Sequence, residues 1–561
     1  MSARVCIVGA GPRGTSVLER LGALAGSLDL EVHVVDPFPP GPGRIWRERQ
    51  PSLLWMNSTV AGVAMFGPGV PSLGEWSGLP ATAFATRPQA GAYFSWVFEQ
   101  AASRVSRLVV HTDRVVDIVD GRVVLGSGSS FQVDAVILAQ GHIDPLPSPA
   151  ELEYLDHARR FGLTYVPSGY ASDVSAIPAG APVIARGLGL TFVDYMVLLT
   201  EGRGGQFHRV PGGELVYEPS GREPVLYAGS RSGLPYHAKP GYRLAEPAPL
   251  PKFLDRETVP GAALDFVGDL WPLVVKEGAW GYYHELFLAH PERVRGQWAD
   301  FVTGFEKFDW GSAELEALIE EAVPGDRFDI DALFEPLRWH GGDFHTFAEQ
   351  FLAEVLDVRN NRDRSPLIGA VNGIGSALGV VHELLAERRI AGASRVIDIE
   401  QRFLPMTSFL TSGPPGRRAE ELLALARAGF VRFLGPGLEI TPRADGFVAV
   451  TEAATVTARC LIEARLPPPS IGRADDPLVR ALLARGECVE DTVGDWSSGQ
   501  LGVRAGDHRL LRADGSAHPM TFAVGPCVAG FRAPISDGPA ELDFFTQNDS
   551  VARAALAGLA T

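Results

Sequence analysis

Apolar positions organise the chain from its first residues. Val5, Cys6, Ile7 and Val8 form a short apolar run, glycines interrupt it, and Val17, Leu18, Leu21 and Leu24 then recur at helical spacing. A second apolar run over residues 31–36 ends in Asp36. The pattern predicts strand, turn, helix and strand in about thirty residues, the length of a βαβ unit. Gly and Pro dominate residues 37–74, which predicts a long irregular loop lying over a site. A hairpin-like piece is expected over 108–131 and a strand over 135–139. A second strand–glycine–helix unit is expected over 182–199.

From about 254 to 389 long amphipathic runs take over, such as 314–322 and 344–358, and predict a mostly helical block. Strand texture returns near 431–433, 446–450 and 461–464. The last segment joins residues 522–526 to a terminal helix at about 546–557. No repeat of fixed period is visible. Two uncharged stretches, 50–74 and 365–382, are broken by Pro and Gly and do not read as membrane spans.

Composition narrows the function classes. With 561 residues the chain has room for about two to four domains. Its formal net charge of −17 opposes binding to a phosphate backbone, so no nucleic-acid partner is expected. Cys6, Cys460, Cys488 and Cys527 lie far apart with no C-x-x-C pair. That argues against a disulfide framework and a thiolate metal site, and fits a cytoplasmic setting. His340 and His345 have two glycines and an Asp between them, and no metal is expected there. No Gly-x-Ser-x-Gly and no P-loop lysine motif is present.

The sharpest chemical signal is Gly9-Ala10-Gly11-Pro12-Arg13-Gly14 between the first strand and helix. The first glycine permits the tight turn, the second lets backbone approach a pyrophosphate, and the third lets helix and strand pack closely. Asp36 stands where a carboxylate accepts from ribose hydroxyls. A degenerate copy follows at Gly187-Leu188-Gly189-Leu190-Thr191-Phe192, with Phe192 in place of the third glycine. Ser230, Arg231 and Ser232 follow a strand end and suit a 2′-phosphate, which favours NADPH over NADH. Gly141 in Gln140-Gly141-His142 resembles a strand-end turn that returns to the first nucleotide. Gly525 resembles a glycine placed beside a flavin, and Asn548 opens the helix expected to point its N-terminus at the flavin ring. Arg417 and Arg418 form a weaker anion-binding candidate.

These residues carry a resemblance. The chain is similar to the two-dinucleotide flavoproteins that include flavin-containing monooxygenases and lysine or ornithine N-hydroxylases. It is closer still to the bacterial FAD/NAD(P)-binding family that holds nitrosuccinate-forming aspartate N-monooxygenases. The matching segments are the glycine motif at 8–14, Leu18-Glu19-Arg20-Leu21, Trp55-Met56-Asn57-Ser58, residues 87–93, Gly187 through Asp194 and Ser230 through Gly233.

The resemblance implies an α/β protein with two Rossmann-like dinucleotide-binding domains and a mostly helical insertion. The FAD domain is expected over 1–150, completed by about 440–561. The NAD(P)H domain is expected over 175–250, completed by about 390–440, with a helical substrate-side domain over 251–390. It implies FAD and NADPH (or NADH) as cofactors, with a small molecule and oxygen as substrates. The implied activity is N-hydroxylation of an amine or amino acid, aspartate being one candidate, through a flavin C4a-hydroperoxide. Met56 and Asn57 would then lie near the flavin ring, with Asn57 the catalytic candidate. Arg359, Arg362 or Arg364 would clamp a substrate carboxylate. From the residues alone two alternatives stay open: a flavoprotein reductase that makes no oxygen transfer, and a flavin-binding protein without catalysis.

Overall fold

The computed structural model describes residues 2–66, 70–169, 173–335, 337–529 and 541–560. Contacts divide the chain into two units. One is Met1–Ala150 with Gly169–Ala171 and Pro467–Thr561, and the other is Glu151–Ser168 with Ser172–Leu466. The strands of the two large sheets are, in chain order, β1 (Ala3–Val8), β2 (Leu30–Val35), β3 (Arg107–His111), β4 (Ala135–Leu138), β5 (Thr164–Val166), β6 (Pro182–Arg186), β7 (Val225–Gly229), β8 (Val431–Phe433), β9 (Cys460–Glu463), β10 (Arg509–Leu511) and β11 (Ala517–Ala523). The helices used below are α1 (Pro12–Leu24), α2 (Arg87–Ala102), α3 (Leu190–Leu199), α4 (Trp271–Ala289), α5 (Phe344–Asn360), α6 (Ser365–Ala386), α7 (Leu404–Thr411) and α8 (Glu541–Leu559).

The first unit is built on the sheet β10-β11-β4-β1-β2-β3, parallel except where β10 runs against β11. Every residue of β2 and β4 is buried, as a strand covered on both faces requires. On one face α1 packs with α2 and α8. The other face, with Cys6, Val8, Val136 and Leu138, is covered by an antiparallel meander of Val115–Val119, Arg122–Leu125 and Ser130–Gln132. The hairpin expected over 108–131 is therefore two things. β3 is a parallel neighbour of β2, and only the chain after it folds back on itself. An apolar run does not say which strand it will pair with.

The second unit repeats the plan. Its sheet runs β8-β7-β6-β9-β5, all parallel. A three-stranded antiparallel piece, Glu439–Arg443, Gly446–Val450 and Thr455–Ala458, precedes β9 as the meander precedes β4. The repeat has no fixed period because the intervening segments differ in length. It also corrects one boundary. β9 pairs with β6 and β5, so residues 440–466 complete the second sheet and the chain returns to the first unit only after Leu466.

The helical block expected over 251–390 lies within the second unit and runs on through the π-helical Arg395–Phe403 and α7. α4 and α6 cross with almost no separation. A Cβ at Gly369 would stand 2.2 Å from the Gly281 carbonyl oxygen, so only glycine fits the crossing. The helix over Arg362–Ala386 is long and apolar enough to cross a membrane by length and composition, yet half of that window is buried and it forms the core of this block.

Candidate functional site

Each sheet has one point where the strand order reverses, and ligands of open α/β sheets bind there, outside the carboxyl ends of the strands. In the first unit the reversal lies between β1 and β4. Gly9 follows β1 with φ +101°, and a Cβ on it would meet the Ala139 carbonyl oxygen at 2.3 Å. In the second unit the reversal lies between β6 and β9. Gly187 follows β6 with φ +123°, and a Cβ on it would meet the Ala464 carbonyl oxygen at 2.4 Å. The two glycine loops thus close on the same kind of neighbour, the residue just past the strand across the switch point.

Both loops lead into helices that lack caps of their own. Gly11 is the N-cap of α1 and Gly189 that of α3. Neither helix has a side-chain cap bond or an acid in its first turn. By contrast Thr86 caps α2 and Asp343 caps α5 with side-chain oxygens. Uncapped first-turn N–H groups at the positive end of a helix dipole suit a phosphate. A Cβ at Gly14 would fall 1.9 Å from the Gly9 carbonyl oxygen, which excludes any side chain there. Phe192, at the matching position in α3, is wholly buried, so the second helix accommodates a ring where the first accepts none. Pro12 begins α1 and needs no N–H partner.

Other first-unit candidates fall in different places. Asp36 accepts from Ala10 N–H at 2.7 Å and Phe38 N–H at 2.8 Å, so its carboxylate ties the glycine loop to the end of β2. Burial raises its pKa, against the lowering effect of those two bonds. Gly141 has φ +74° and open space where a Cβ would be, and Gly525 has φ +104° with Arg13 nearby. Met56 is 2% exposed and packs in the same core as Val60 and Val63. Asn57 beside it is half-buried. Asn548 departs from expectation. It sits two turns inside α8, wholly buried, accepting from Arg13 and donating to the Ser16 hydroxyl. It fastens α8 to α1 and does not open a helix.

In the second unit Ser230 and Arg231 follow β7, next to β6. Ser230 Oγ accepts from Gly233 N–H, and the exposed Arg231 side chain makes no ion pair among the described residues. Thr191 is the second residue of α3 and half-buried. The three arginines expected to clamp a carboxylate do not converge. Arg364 pairs with Glu354 and Asp357, and Arg362 lies over the Tyr242 ring at 4.7 Å. Arg359 is 1% exposed and donates to the Leu410 carbonyl at the C-terminal end of α7, where the helix dipole favours a cation. Burial lowers its pKa to about 10. Arg417 and Arg418 are both engaged with Glu421, which removes them as an anion site. His345 bonds Phe433 N–H and Glu349 and forms no pair with His340.

Sequence reading missed two features. Gly43 packs its Cα against Gly11, so the Pro-Gly-rich loop buttresses the first glycine motif. Glu463 is a wholly buried carboxylate at the end of β9, and a lone acid in Leu461-Ile462-Glu463-Ala464 was the signal for it.

A family model for FAD-NAD(P)-binding proteins matches residues 6–143. The chain is 36% identical over 620 aligned positions to nitrosuccinic acid synthase of Aspergillus oryzae, covering 99% of this chain and 93% of that protein. It is 34% identical to an L-aspartate N-monooxygenase (nitrosuccinate-forming) of Streptomyces davaonensis, covering 98% and 97%. The chain belongs to the nitrosuccinate-forming aspartate N-monooxygenase family. It is an FAD-dependent, NAD(P)H-using, N-hydroxylating monooxygenase. Among solved structures, cyclohexanone monooxygenase with bound epsilon-caprolactone aligns over 99% of this chain and 88% of its own at 14% identity, with a TM-score of 0.43.

Proposed function

We propose that this monooxygenase acts on L-aspartate, taking its amino nitrogen to the nitro level with NADPH and oxygen. The observation that carries the reading is the end-to-end match to two nitrosuccinate-forming enzymes, joined to a switch point in each sheet with an uncapped helix beside it.

FAD, when bound and reduced, supplies the oxygen-activating chemistry. Gly9, Gly11 and Gly14 with the start of α1 hold its pyrophosphate, and Pro12 presets the first turn. Arg13 and Asn548 lock the two helices of that region. Asp36 fixes the loop that faces the nucleotide. Gly141 and Gly525 leave backbone open at the ends of β4 and β11. Asn57 offers an amide for the flavin or the reacting nitrogen, while Met56 anchors its loop in the core.

The nicotinamide dinucleotide takes Gly187, Gly189 and Thr191 at the start of α3, and Ser230 with Arg231 receives the 2′-phosphate. The site must also exclude water around the reduced cofactor, since water discharges the activated oxygen as peroxide. The protein works in the cytoplasm, where both nucleotides are supplied.

The test is anaerobic mixing of the FAD-loaded protein with NADPH or NADH, followed by air with and without L-aspartate. The reading expects faster bleaching by NADPH, and oxygen uptake that aspartate stimulates. Bleaching followed by peroxide release at the same rate with and without aspartate would remove aspartate as substrate.

A further inference from the structure

The two switch points differ in one register position. At the ends of β1 and β4 the paired residues are Val8 and Leu138, both buried. At the ends of β6 and β9 the same positions hold Arg186 and Glu463. Glu463 is 0% exposed, in a strand whose other residues are Cys460, Leu461 and Ile462. Exchanging an apolar pair for a buried ion pair brings little or no stability, because desolvation offsets the attraction. The exchange therefore calls for a use.

Its geometry supplies one. Glu463 accepts a bidentate pair from Arg186, through Nε at 2.8 Å and through Nη2. Its Oε2 also accepts from Arg465 Nε at 2.9 Å. The Tyr165 hydroxyl adds a weaker bond at 3.4 Å. Arg465 is half-exposed, and its Nε is the one guanidinium nitrogen bonded to protein among the described residues. The carboxylate thus fixes the plane of the fork and leaves the two Nη groups to a ligand. Arg465 also sits against the glycine loop: a Cβ on Gly187 would lie 3.3 Å from the Arg465 Cβ. In the first unit the residue at this position is Gln140, which is turned to Asp476. Two guanidiniums against one carboxylate leave a surplus positive charge beside the uncapped start of α3.

We propose that Arg465, held by Glu463, binds the pyrophosphate of the nicotinamide dinucleotide. This rests on the reading that the second glycine loop is the NADPH site. It gives that site a fixed cation where Phe192 has replaced the third glycine. A planar fork with one edge fastened loses little freedom on meeting a phosphate. Because the pyrophosphate is common to both nucleotides, Arg465 acts on NADPH and NADH alike, whereas Arg231 acts on the 2′-phosphate alone.

Binding of NADP⁺ and NAD⁺ to the FAD-loaded protein, measured by titration for wild type, Arg465→Ala, Arg465→Lys and Glu463→Gln, tests this. Arg465→Ala is expected to raise both Kd values about 10- to 100-fold, the range for one charge-assisted bond. Arg465→Lys is expected to recover part of the loss, and Glu463→Gln to weaken both nucleotides by loosening the fork. FAD content and Tm of Arg465→Ala should match wild type, since its side chain is half-exposed. A change under about twofold for both nucleotides, or a loss confined to NADP⁺, overturns the assignment. A wild-type protein that binds neither nucleotide overturns the underlying NADPH reading and this assignment with it.

Discussion

The Arg13 guanidinium donates to the Asn548 side-chain carbonyl at 3.2 Å, and so ties the first helix of the chain to the last. Asn548 in turn donates to Ser16 at 2.9 Å, and its own side chain is wholly buried. Asn548→Leu strands the Ser16 hydroxyl and one donor of Arg13 out of water. The expected cost is about 1–3 kcal/mol, read as a lower Tm and weaker FAD retention. An unchanged Tm would show that α8 is held by its apolar contacts alone.

The two glycine loops should fail separately. Gly9→Ala drives a Cβ into the Ala139 carbonyl at a positive φ, and Gly187→Ala does the same at Ala464. Strain of about 1–3 kcal/mol applies to each backbone conformation before the clash is counted. Gly9→Ala is expected to yield protein with little or no flavin. Gly187→Ala is expected to stay yellow but to bleach at least about tenfold more slowly with subsaturating NADPH. Equal loss of flavin in both would refute the assignment of one nucleotide to each sheet.

Arg231 should sort the nucleotides. Arg231→Ala is expected to raise the NADPH KM about tenfold or more and to leave the NADH KM within about twofold, since one charge-assisted bond to the 2′-phosphate is lost. Parallel changes in both would move the 2′-phosphate elsewhere.

Much of this was legible in sequence. The first glycine motif, both strand–turn–helix units and the helical block stand where local periodicity puts them. What local periodicity does not encode is partnership across the chain. Gly187 meets Ala464, and Arg13 meets Asn548, only because distant strands and helices close on each other. For the same reason the local pattern alone puts β9 with the wrong unit and Asn548 at a helix start. Arg359 shows a second limit. An arginine in a polar run at 357–364 reads as exposed, yet the helical turn carries it under α7 while Arg364, four residues beyond the helix end, stays half-buried and paired.

That segment yields a prediction of its own. Arg364→Ala breaks a partly exposed ion pair, so it should cost at most about 1 kcal/mol and leave the aspartate KM unchanged. A tenfold rise in that KM, with Tm unaltered, would restore the carboxylate clamp.

The pH dependence of stability has a definite sign. His237 is 4% exposed, and burial, followed by the nearby Arg359 charge, lowers its pKa to about 3. A histidine whose folded pKa is depressed favours the native state fully above its unfolded value of about 6.5. That contribution is lost as the pH falls from there toward 3. Tm should therefore fall between pH 7 and 5, and His237→Gln should flatten part of the fall. A variant with the same slope as wild type would assign the acid sensitivity to other groups.

The most direct test of the central claim follows the nitrogen. FAD-loaded protein, NADPH and ¹⁵N-labelled L-aspartate are incubated under ¹⁸O₂, and the products are weighed by mass spectrometry. The expected product is nitrosuccinate that keeps the ¹⁵N and carries oxygen from ¹⁸O₂ on it. NADPH consumed with the labelled nitrogen recovered wholly as aspartate would contradict it.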